Sequence, residues 1–210
     1  MYVPVFNALD DADEIRALVA SVGSADLVTV GPDGYPVSTL LPVVWHEDVL
    51  IAHMARANPH WRALVDDAPA LAVVTGPQAY VSPAWYASKA EHGRVVPTWN
   101  YSAVHLTGRV RVHDDADFVL RAVTLLTEQH EQGRAEPWAV GDAPAQFVAR
   151  QLRGIVGVEL RVERVEAKAK LSQNRSADDH AGVVAGLSGE PNRDAAAVAD
   201  AMARAGRYRA

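Results

Sequence analysis

Three segments of the chain concentrate side chains that can bind a polar or aromatic ligand. In the first, residues 53–61, a predicted strand ends and a helix begins at Asn58 and Pro59. The free amides at the start of a helix and the guanidinium of Arg56 would converge on an anion there. The plainer interpretation is that Asn58 only caps the helix and that Arg56 is solvated.

The second segment, residues 80–101, is rich in aromatic side chains and also carries two prolines and a lysine. Tryptophan and tyrosine at this density are typical of the rigid wall of a pocket for a flat ligand. A structural aromatic cluster beneath a long loop explains the same residues equally well. The aromatic residues are Tyr80, Trp85, Tyr86, Trp99 and Tyr101.

The third segment, residues 167–175, follows the last predicted strand and is both polar and basic. Lys170, Ser172, Gln173 and Arg175 lie within six positions of each other. Such a set can bind a phosphate or the polar edge of a ring. A solvated basic linker is the competing interpretation, because runs of charge are usually solvated.

Two histidines are candidates for ligation of a haem iron, and each also has a simpler interpretation. His53 lies at a predicted strand end, and His105 lies on the polar face of another strand. Without a motif, a half-buried imidazole with satisfied hydrogen bonds is favoured over a ligand. Glycine-rich phosphate loops, zincin motifs and nucleophile elbows are absent from the sequence, so no catalytic residue and no dedicated metal site is predicted.

The composition excludes several classes of protein. The 210 residues are 49% hydrophobic and 22% charged, with a net charge of −6 and no cysteine. A disulfide framework, a thiolate metal or haem site and a cysteine nucleophile are therefore excluded. The acidic charge and the lack of a helix-turn-helix pattern argue against a general DNA-binding protein. Neither a signal peptide nor an apolar run of about 20 residues is visible, so we expect a cytoplasmic protein without a membrane span.

Periodicity predicts a mainly β protein with helices, of the α+β class. The strands are mostly joined as short hairpins, and strict strand–helix alternation is absent, so an antiparallel barrel is favoured over a parallel sheet. Residues 1–175 are predicted to form this domain, and residues 176–210 a helical extension packed on it. The predicted strands are 26–30, 35–45, 49–54, 71–75, 104–112 and 155–165. The longer predicted helices are 10–21, 115–131, 144–152 and 194–205.

Several short motifs occur in the order found in a known family. They are Met1-Tyr2-Val3-Pro4, the 53–61 segment, Tyr80-Val81-Ser82-Pro83, residues 96–101 with Val104-His105, and Lys170-Leu171-Ser172-Gln173-Asn174-Arg175. Together they resemble the PaiB family, the FMN-binding negative transcriptional regulators. The resemblance extends from the first residue to about Leu187.

The resemblance implies an antiparallel split β-barrel of the flavin-reductase and pyridoxamine-phosphate-oxidase type, with peripheral helices and a C-terminal helical tail. It implies a homodimer with FMN at the interface between the subunits. The segment with His53, Arg56 and Asn58 would bind the phosphate, and the strand with Ser38 and Thr39 would line the isoalloxazine ring. Trp99 and Asn100 would form a wall of the pocket. The residues expected to complete it, from either subunit, are Lys170, Ser172, Gln173 and Arg175.

The resemblance leaves the function open among several classes. The first expectation is a flavoprotein that represses transcription in response to a small molecule or to redox state, with DNA binding implied by the family alone. A flavin-dependent reductase or oxidase is one alternative. A haem b enzyme is another, because the piperazate synthases, which close an N–N bond in an N-hydroxylated amine, share some of these motifs. His53 or His105 would then be the axial ligand. A binding barrel without catalysis is the fourth.

Overall fold

The computed structural model describes residues 1–207, and this range contains six β-strands, seven α-helices and three short 3₁₀ turns. The strands are β1 (Ser24–Val30), β2 (Pro36–His46), β3 (Val49–Ala55), β4 (Ala68–Val81), β5 (Thr98–His113) and β6 (Ile155–Lys170). The helices are α1 (Ala12–Val22), α2 (His60–Ala63), α3 (Ser88–His92), α4 (Ala116–Glu131), α5 (Ala145–Leu152), α6 (Ala177–Ser188) and α7 (Arg193–Arg207). None of the described helices is long and apolar enough to cross a membrane.

The strands form a closed barrel in the order β1-β2-β3-β6-β5-β4. The β1–β2, β2–β3, β1–β4 and β3–β6 pairings are antiparallel. A tight turn joins β1 to β2, where Gly34 has a φ of +83°, a conformation that favours glycine. The antiparallel barrel with peripheral helices, predicted from the sequence, is confirmed.

The interior of the barrel is a packed apolar core. Alternate residues of β1, β2, β3, β4 and β6 line it, and the space left between them is only about 10 Å³. A space of this size holds at most one water molecule. The barrel interior therefore stabilises the fold and offers no room for a cofactor. The lining residues are Ala25, Leu27, Leu41, Val43, Leu50, Ala52, Ala72, Val158 and Leu160.

The chain divides into two compact units that share three long strands. Residues 12–74 and 105–166 form the barrel unit, and residues 1–11, 75–104 and 167 onward form the second unit. Strands β4, β5 and β6 span 14, 16 and 16 residues and are all longer than the periodicity predicted. The predicted boundary at residue 175 falls inside the second unit, which also contains α6 and α7.

Helices α6 and α7 supply much of the core of the second unit. Val183 and Leu187 of α6 and Val198 and Met202 of α7 are fully buried in a cluster with Val81, Tyr86 and Leu171. The sequence analysis expected only the second of these helices. Helix α6 contains two glycines, and a Cβ at Gly186 would lie 2.3 Å from the ring of Trp85. The glycines therefore serve close packing against Trp85 rather than flexibility.

A buried histidine ties α2 to the first hairpin of the barrel unit. His60 is 4% exposed, and its two ring nitrogens lie 2.8 Å from Thr29 Oγ1 and 2.7 Å from Thr39 Oγ1. Each hydroxyl can donate or accept, so both nitrogens of a neutral imidazole are satisfied. The Asn58 side chain accepts a hydrogen bond from the His60 amide at 2.9 Å. Helix α2 spans only 4 residues and has Pro59 rather than Asn58 at its N-cap, so the predicted capping position is wrong by one residue.

The first prediction concerns pH. Burial lowers the pKa of His60, and likewise the pKa of His53 and of His105. The histidines of the unfolded chain, with pKa values near ~6.5, therefore bind protons at a higher pH than those of the folded protein. The free energy of unfolding is unaffected by these groups above about pH 6.5, and it decreases as the pH falls below that value. We expect the melting temperature to fall from about pH 7 to about pH 5, with a shallower slope in His60→Gln. An identical slope in this variant would contradict the assignment of His60 as a contributor.

The second prediction concerns a close approach of two strands in the barrel unit. A Cβ at Gly108 on β5 would lie 1.9 Å from the backbone oxygen of Arg161 on β6, so any side chain must push the strands apart. We expect Gly108→Ala to destabilise the protein by about 1–3 kcal/mol or more in denaturant unfolding. Gly141→Ala is the matched control, because a Cβ at Gly141 has no described atom within 4 Å and should change stability little.

Candidate functional site

The residues predicted to bind a cofactor fall into two groups, one in each unit. The barrel group is Ser38, Thr39, His53, Arg56 and Asn58. The group in the second unit is Trp99, Asn100, Lys170, Ser172, Gln173 and Arg175. Within each group the structure brings several members into contact.

In the barrel group, the hydroxyl of Thr39 is held from two sides. His60 Nδ1 lies 2.7 Å from it, and Asn58 Nδ2 donates to it at 3.4 Å. Ser38, one residue earlier on β2, is exposed and donates to Asp26 on β1 at 3.2 Å. Thr39 is thus a fixed, half-buried hydroxyl, while Ser38 is a surface group. His60 is not among the site residues predicted from the sequence, although it lies only two residues after Asn58.

Arg56 is fixed by contacts within the chain. Its guanidinium forms a two-pronged ion pair with Asp114 and donates to the carbonyl groups of Arg153 at 3.0 Å and Ile155 at 3.1 Å. The hydrogen bond from Arg56 lowers the pKa of Asp114, so this carboxylate stays ionised. The plain interpretation of Arg56 as a solvated side chain is therefore wrong. Its role in phosphate binding stays a prediction.

A cavity of about 590 Å³ opens beside the Arg56–Asp114 ion pair in the barrel unit. Its walls combine the apolar side chains of Val119, Leu152 and Ile155 with the charges of the pair. A ligand with an anionic group would have to compete with Asp114 for the guanidinium of Arg56. The described lining of this cavity does not include the start of α2, and the guanidinium of Arg56 already has a carboxylate partner, so the anion site at this corner stays a prediction.

His53 has an unused ring nitrogen. It is half-buried on β3, and its Nδ1 atom is buried without a hydrogen-bond partner among the described residues. Burial lowers the pKa of His53, so the imidazole is neutral near pH 7, the form that ligates a metal. His105 on β5 is also half-buried with a lowered pKa. In the described range, no cluster of three or more His, Cys, Asp or Glu side chains can hold a metal ion.

In the second unit, Lys170 sits among cations. Its Nζ atom donates to Thr98 Oγ1 at 2.5 Å and to the Trp99 carbonyl at 2.6 Å. Burial lowers the pKa of Lys170, and the nearby charges of Lys168 and Arg175 lower it further. Like charges gathered in this way create a positive potential that an anion would relieve.

Tyrosine rings contact Lys168 and Arg175, two of these cations. Lys168 is only 7% exposed, donates to the Tyr2 carbonyl at 3.3 Å, and lies 5.7 Å and 5.2 Å from the ring centroids of Tyr2 and Tyr101. The guanidinium carbon of Arg175 lies 4.6 Å from the ring of Tyr86. Cation–π contacts of this kind stabilise a charge without neutralising it. The sequence analysis did not assign a role to Lys168, although it lies two positions before Lys170 on the same strand.

The bend after β6 is held by a buried polar contact. Ser172 has a φ of +61°, which is unusual for a residue with a side chain. Its hydroxyl bonds to the fully buried Asn100 amide, whose Nδ2 donates at 2.9 Å and also approaches Met202 Sδ at 3.4 Å. Gln173 bonds back to its own segment, accepting from the Leu171 amide at 2.7 Å. These three predicted site residues thus position the segment that carries Lys170 and Arg175.

Trp99 points to the opposite side of β5 from Asn100. Its side chain is 46% exposed, and its Nε1 donates to Gln78 Oε1 on β4 at 3.1 Å. An exposed indole of this kind can form the wall of a pocket, as the sequence predicts.

The residues of the second unit fit a phosphorylated aromatic cofactor such as FMN. Lys170, Lys168 and Arg175 provide positive charge, and tyrosine and tryptophan rings provide flat apolar surface. The carboxylate of Asp179 interacts with Arg175 and receives hydrogen bonds from Ser88 N at 2.9 Å and Ser88 Oγ at 2.8 Å. These bonds from Ser88 are the main cause of the lowered pKa of Asp179, with a smaller contribution from Arg175. Positive charge therefore remains in excess.

Comparison with known proteins gives a family for the chain. A family model described as "Putative FMN-binding domain" matches residues 1–164. A protein of Bacillus subtilis (strain 168), described as protease synthase and sporulation protein PAI 2, is 32% identical over 206 residues, which is 96% of either chain. An uncharacterized protein of Aspergillus fumigatus is 34% identical over 170 residues, 66% of this chain and 65% of the relative.

Solved structures with the same fold bind related cofactors. The FAD and haem binding protein from Mycobacterium smegmatis has a TM-score of 0.60 and 20% identity, covering 83% of this chain and 78% of that chain. The flavocytochrome Anf3 from Azotobacter vinelandii has a TM-score of 0.58 and 16% identity, covering 80% and 72%. At these identities the likeness shows the split-barrel fold alone.

The family model covers most of the chain, and the Bacillus subtilis relative is similar along nearly its whole length. Both agree with the motifs in the sequence and with the closed barrel in the structure. The chain therefore belongs to the FMN-binding domain family, of the PaiB type.

Proposed function

We propose that this protein binds FMN and that the cationic group around Lys170 supplies the charge for its phosphate. The proposal rests on the excess of positive charge in the second unit. Lys170 is half-buried next to Lys168 and Arg175, and each like charge lowers its pKa. Burying like charges together is unfavourable unless an anion joins them. A phosphate with two negative charges would offset this cost.

The other predicted residues have roles that their contacts support. Ser172 and Asn100 hold the bend that carries the cations, and Trp99 offers a flat apolar surface. In the barrel unit, Thr39 presents a fixed hydroxyl, and Arg56 would contact an anion only in competition with Asp114. Bound FMN would supply electron or hydride transfer, and the chain would supply binding and orientation.

We also propose a regulatory role for the protein, in the repression of transcription. The motifs in the sequence resemble proteins named as negative transcriptional regulators, and the Bacillus subtilis relative is described as a protease synthase and sporulation protein. A cytoplasmic location suits that role. The net charge of −6 does not favour DNA binding. A gel shift with promoter DNA at physiological salt tests the role directly. Weak binding without sequence preference would contradict it.

Haem binding is the second candidate, and His53 supports it. The buried, unpartnered Nδ1 of a neutral imidazole is suited to an axial ligand. Two proteins with the same fold are described as a FAD and haem binding protein and as a flavocytochrome. The absorption spectrum of the protein reconstituted with FMN or with haem separates the candidates. A two-band flavin spectrum supports FMN, and a sharp Soret band that is lost in His53→Ala supports haem.

The third prediction tests the phosphate site. Lys170→Gln removes one charge from the cationic group, so we expect FMN affinity to fall by about tenfold or more in a fluorescence titration. The matched control is Lys89→Gln, an exposed lysine of α3 in the same unit, which should leave the affinity unchanged. Equal affinity in Lys170→Gln and the original protein would contradict the proposed phosphate site.

Arg56→Ala and Asp114→Asn complete this test. Arg56→Ala should weaken FMN binding less than Lys170→Gln, because its guanidinium already pairs with Asp114. If Arg56 does contact the phosphate, Asp114→Asn should strengthen binding by removing the competing carboxylate. If neither variant changes the affinity, Arg56 has only a structural role.

The fourth prediction concerns the proposed homodimer. The first hairpin of the barrel unit exposes the apolar side chains of Val30, Tyr35 and Leu40, at 67%, 72% and 65%. A second copy of the chain would remove this surface from water. We expect a solution mass of twice 22.6 kDa by light scattering, falling toward the monomer in Leu40→Glu. Val65→Glu is the control, since Val65 is 69% exposed but lies outside the hairpin. A monomeric original protein would refute the dimer.

A further inference from the structure

The second unit contains a cavity of about 440 Å³ whose walls are aromatic and acidic. Its aromatic residues are Tyr80, Trp85 and Trp99, and its carboxylates are Glu190 and Asp194. Lysine, arginine and histidine are absent from the described lining. The cavity thus has the opposite charge to the cationic group around Lys170, although both belong to the same unit.

The aromatic walls are held in place by packing and hydrogen bonds. The ring of Trp85 lies directly against α6, where a Cβ at Gly186 would approach it within 2.3 Å. The Trp99 indole is oriented by its hydrogen bond to Gln78 at 3.1 Å. Tyr80 and Trp99 are 49% and 46% exposed, so their rings remain accessible to a ligand. None of the described cation–π pairs involves the ring of Tyr80, Trp85 or Trp99.

The two carboxylates come from the segment around the start of α7. Glu190 lies in the connection that follows α6, and Asp194 lies in the first turn of α7. The Asn192 side chain accepts a hydrogen bond from the Asp194 amide at 2.9 Å, which fixes this turn. Among the described residues neither carboxylate has an ion-pair partner, so their charge is available to a ligand.

We propose that this cavity binds an organic cation of the alkylammonium class. Indole and phenol rings attract a cation over their faces, and nearby carboxylates add Coulomb attraction. An anion would be repelled by Glu190 and Asp194, which excludes the FMN phosphate from this cavity. A small hydrated metal ion would make poor use of the aromatic surface, whereas the methyl and methylene groups of an alkylammonium ion would pack against it.

The site does not depend on the flavin proposal. Trp99 is common to both proposals, because its carbonyl accepts from Lys170 and its indole lines the cavity, whereas Glu190 and Asp194 belong to the cavity alone. The carboxylates that define the cavity belong to the segment after residue 164, where the match to the family model ends. Loss of cation binding and loss of FMN binding can therefore be measured separately.

The fifth prediction uses choline and its uncharged isostere 3,3-dimethylbutan-1-ol. Both have nearly the same shape, so a difference in affinity reports the charge. Titration of the full-length protein, followed by tryptophan fluorescence and calorimetry, should give saturable choline binding that is about tenfold or more tighter than binding of the alcohol. The affinity for choline should fall as salt concentration rises. No saturable binding, or equal binding of the two probes, would overturn the proposal.

Paired variants locate the site. The double variant Glu190→Gln with Asp194→Asn should weaken choline binding by about tenfold or more, with unchanged near-UV circular dichroism and unchanged FMN affinity. The matched control is Asp178→Asn, because Asp178 occupies the first turn of α6 and is exposed like Glu190. It should bind choline as the original protein does. Trp99→Leu should also weaken choline binding, through loss of an aromatic face. Unchanged choline affinity in the double variant would place the cation elsewhere and overturn the assignment.

Discussion

Closure of the six-stranded barrel is the constraint on which the rest of the structure depends. The barrel closes around a core so tightly packed that only about 10 Å³ remains, and β5 and β6 approach closely enough that Gly108 tolerates no side chain. Strands β4, β5 and β6 each have part of their residues in the barrel unit and part in the second unit. The chemistry of Trp99, Asn100 and Lys170 is therefore built on extensions of rigid strands, which hold side chains more precisely than loops do.

The second unit has one region of positive charge and another of negative charge. Lys168, Lys170 and Arg175 gather without an equal number of carboxylates, and aromatic rings support two of these cations. The cavity with Glu190 and Asp194 has the reverse polarity. Burial makes the uncompensated charge of Lys168 and Lys170 unfavourable, which supports the proposal of a phosphate ligand for this group. A protein with these two groups would bind a phosphorylated cofactor and an organic cation in one unit.

The helical tail is part of this second unit rather than an addition to the barrel. Met202 of α7 touches the Asn100 amide that holds Ser172 in its strained conformation, and Val183 and Leu187 of α6 complete the same core. Substitutions in α7 would thus act on the cationic segment through Asn100. The match to the family model ends at residue 164, while the similarity to the Bacillus subtilis relative continues through 96% of the chain. The full-length protein is therefore the relevant form for ligand studies.

The sequence by itself determined the antiparallel barrel, the helix predicted over residues 115–131 and the family, because periodicity and ordered motifs are local signals. Tertiary structure decided the rest. It paired Arg56 with Asp114, 58 positions away, and it buried His60 between two threonines of neighbouring strands. It also placed Glu190 and Asp194 beside Trp99, and it formed α6 despite two glycines. These outcomes depend on contacts between residues far apart in the chain. Packing overrides local propensity at such contacts, and the spacing of residues in the sequence does not predict which of them will meet.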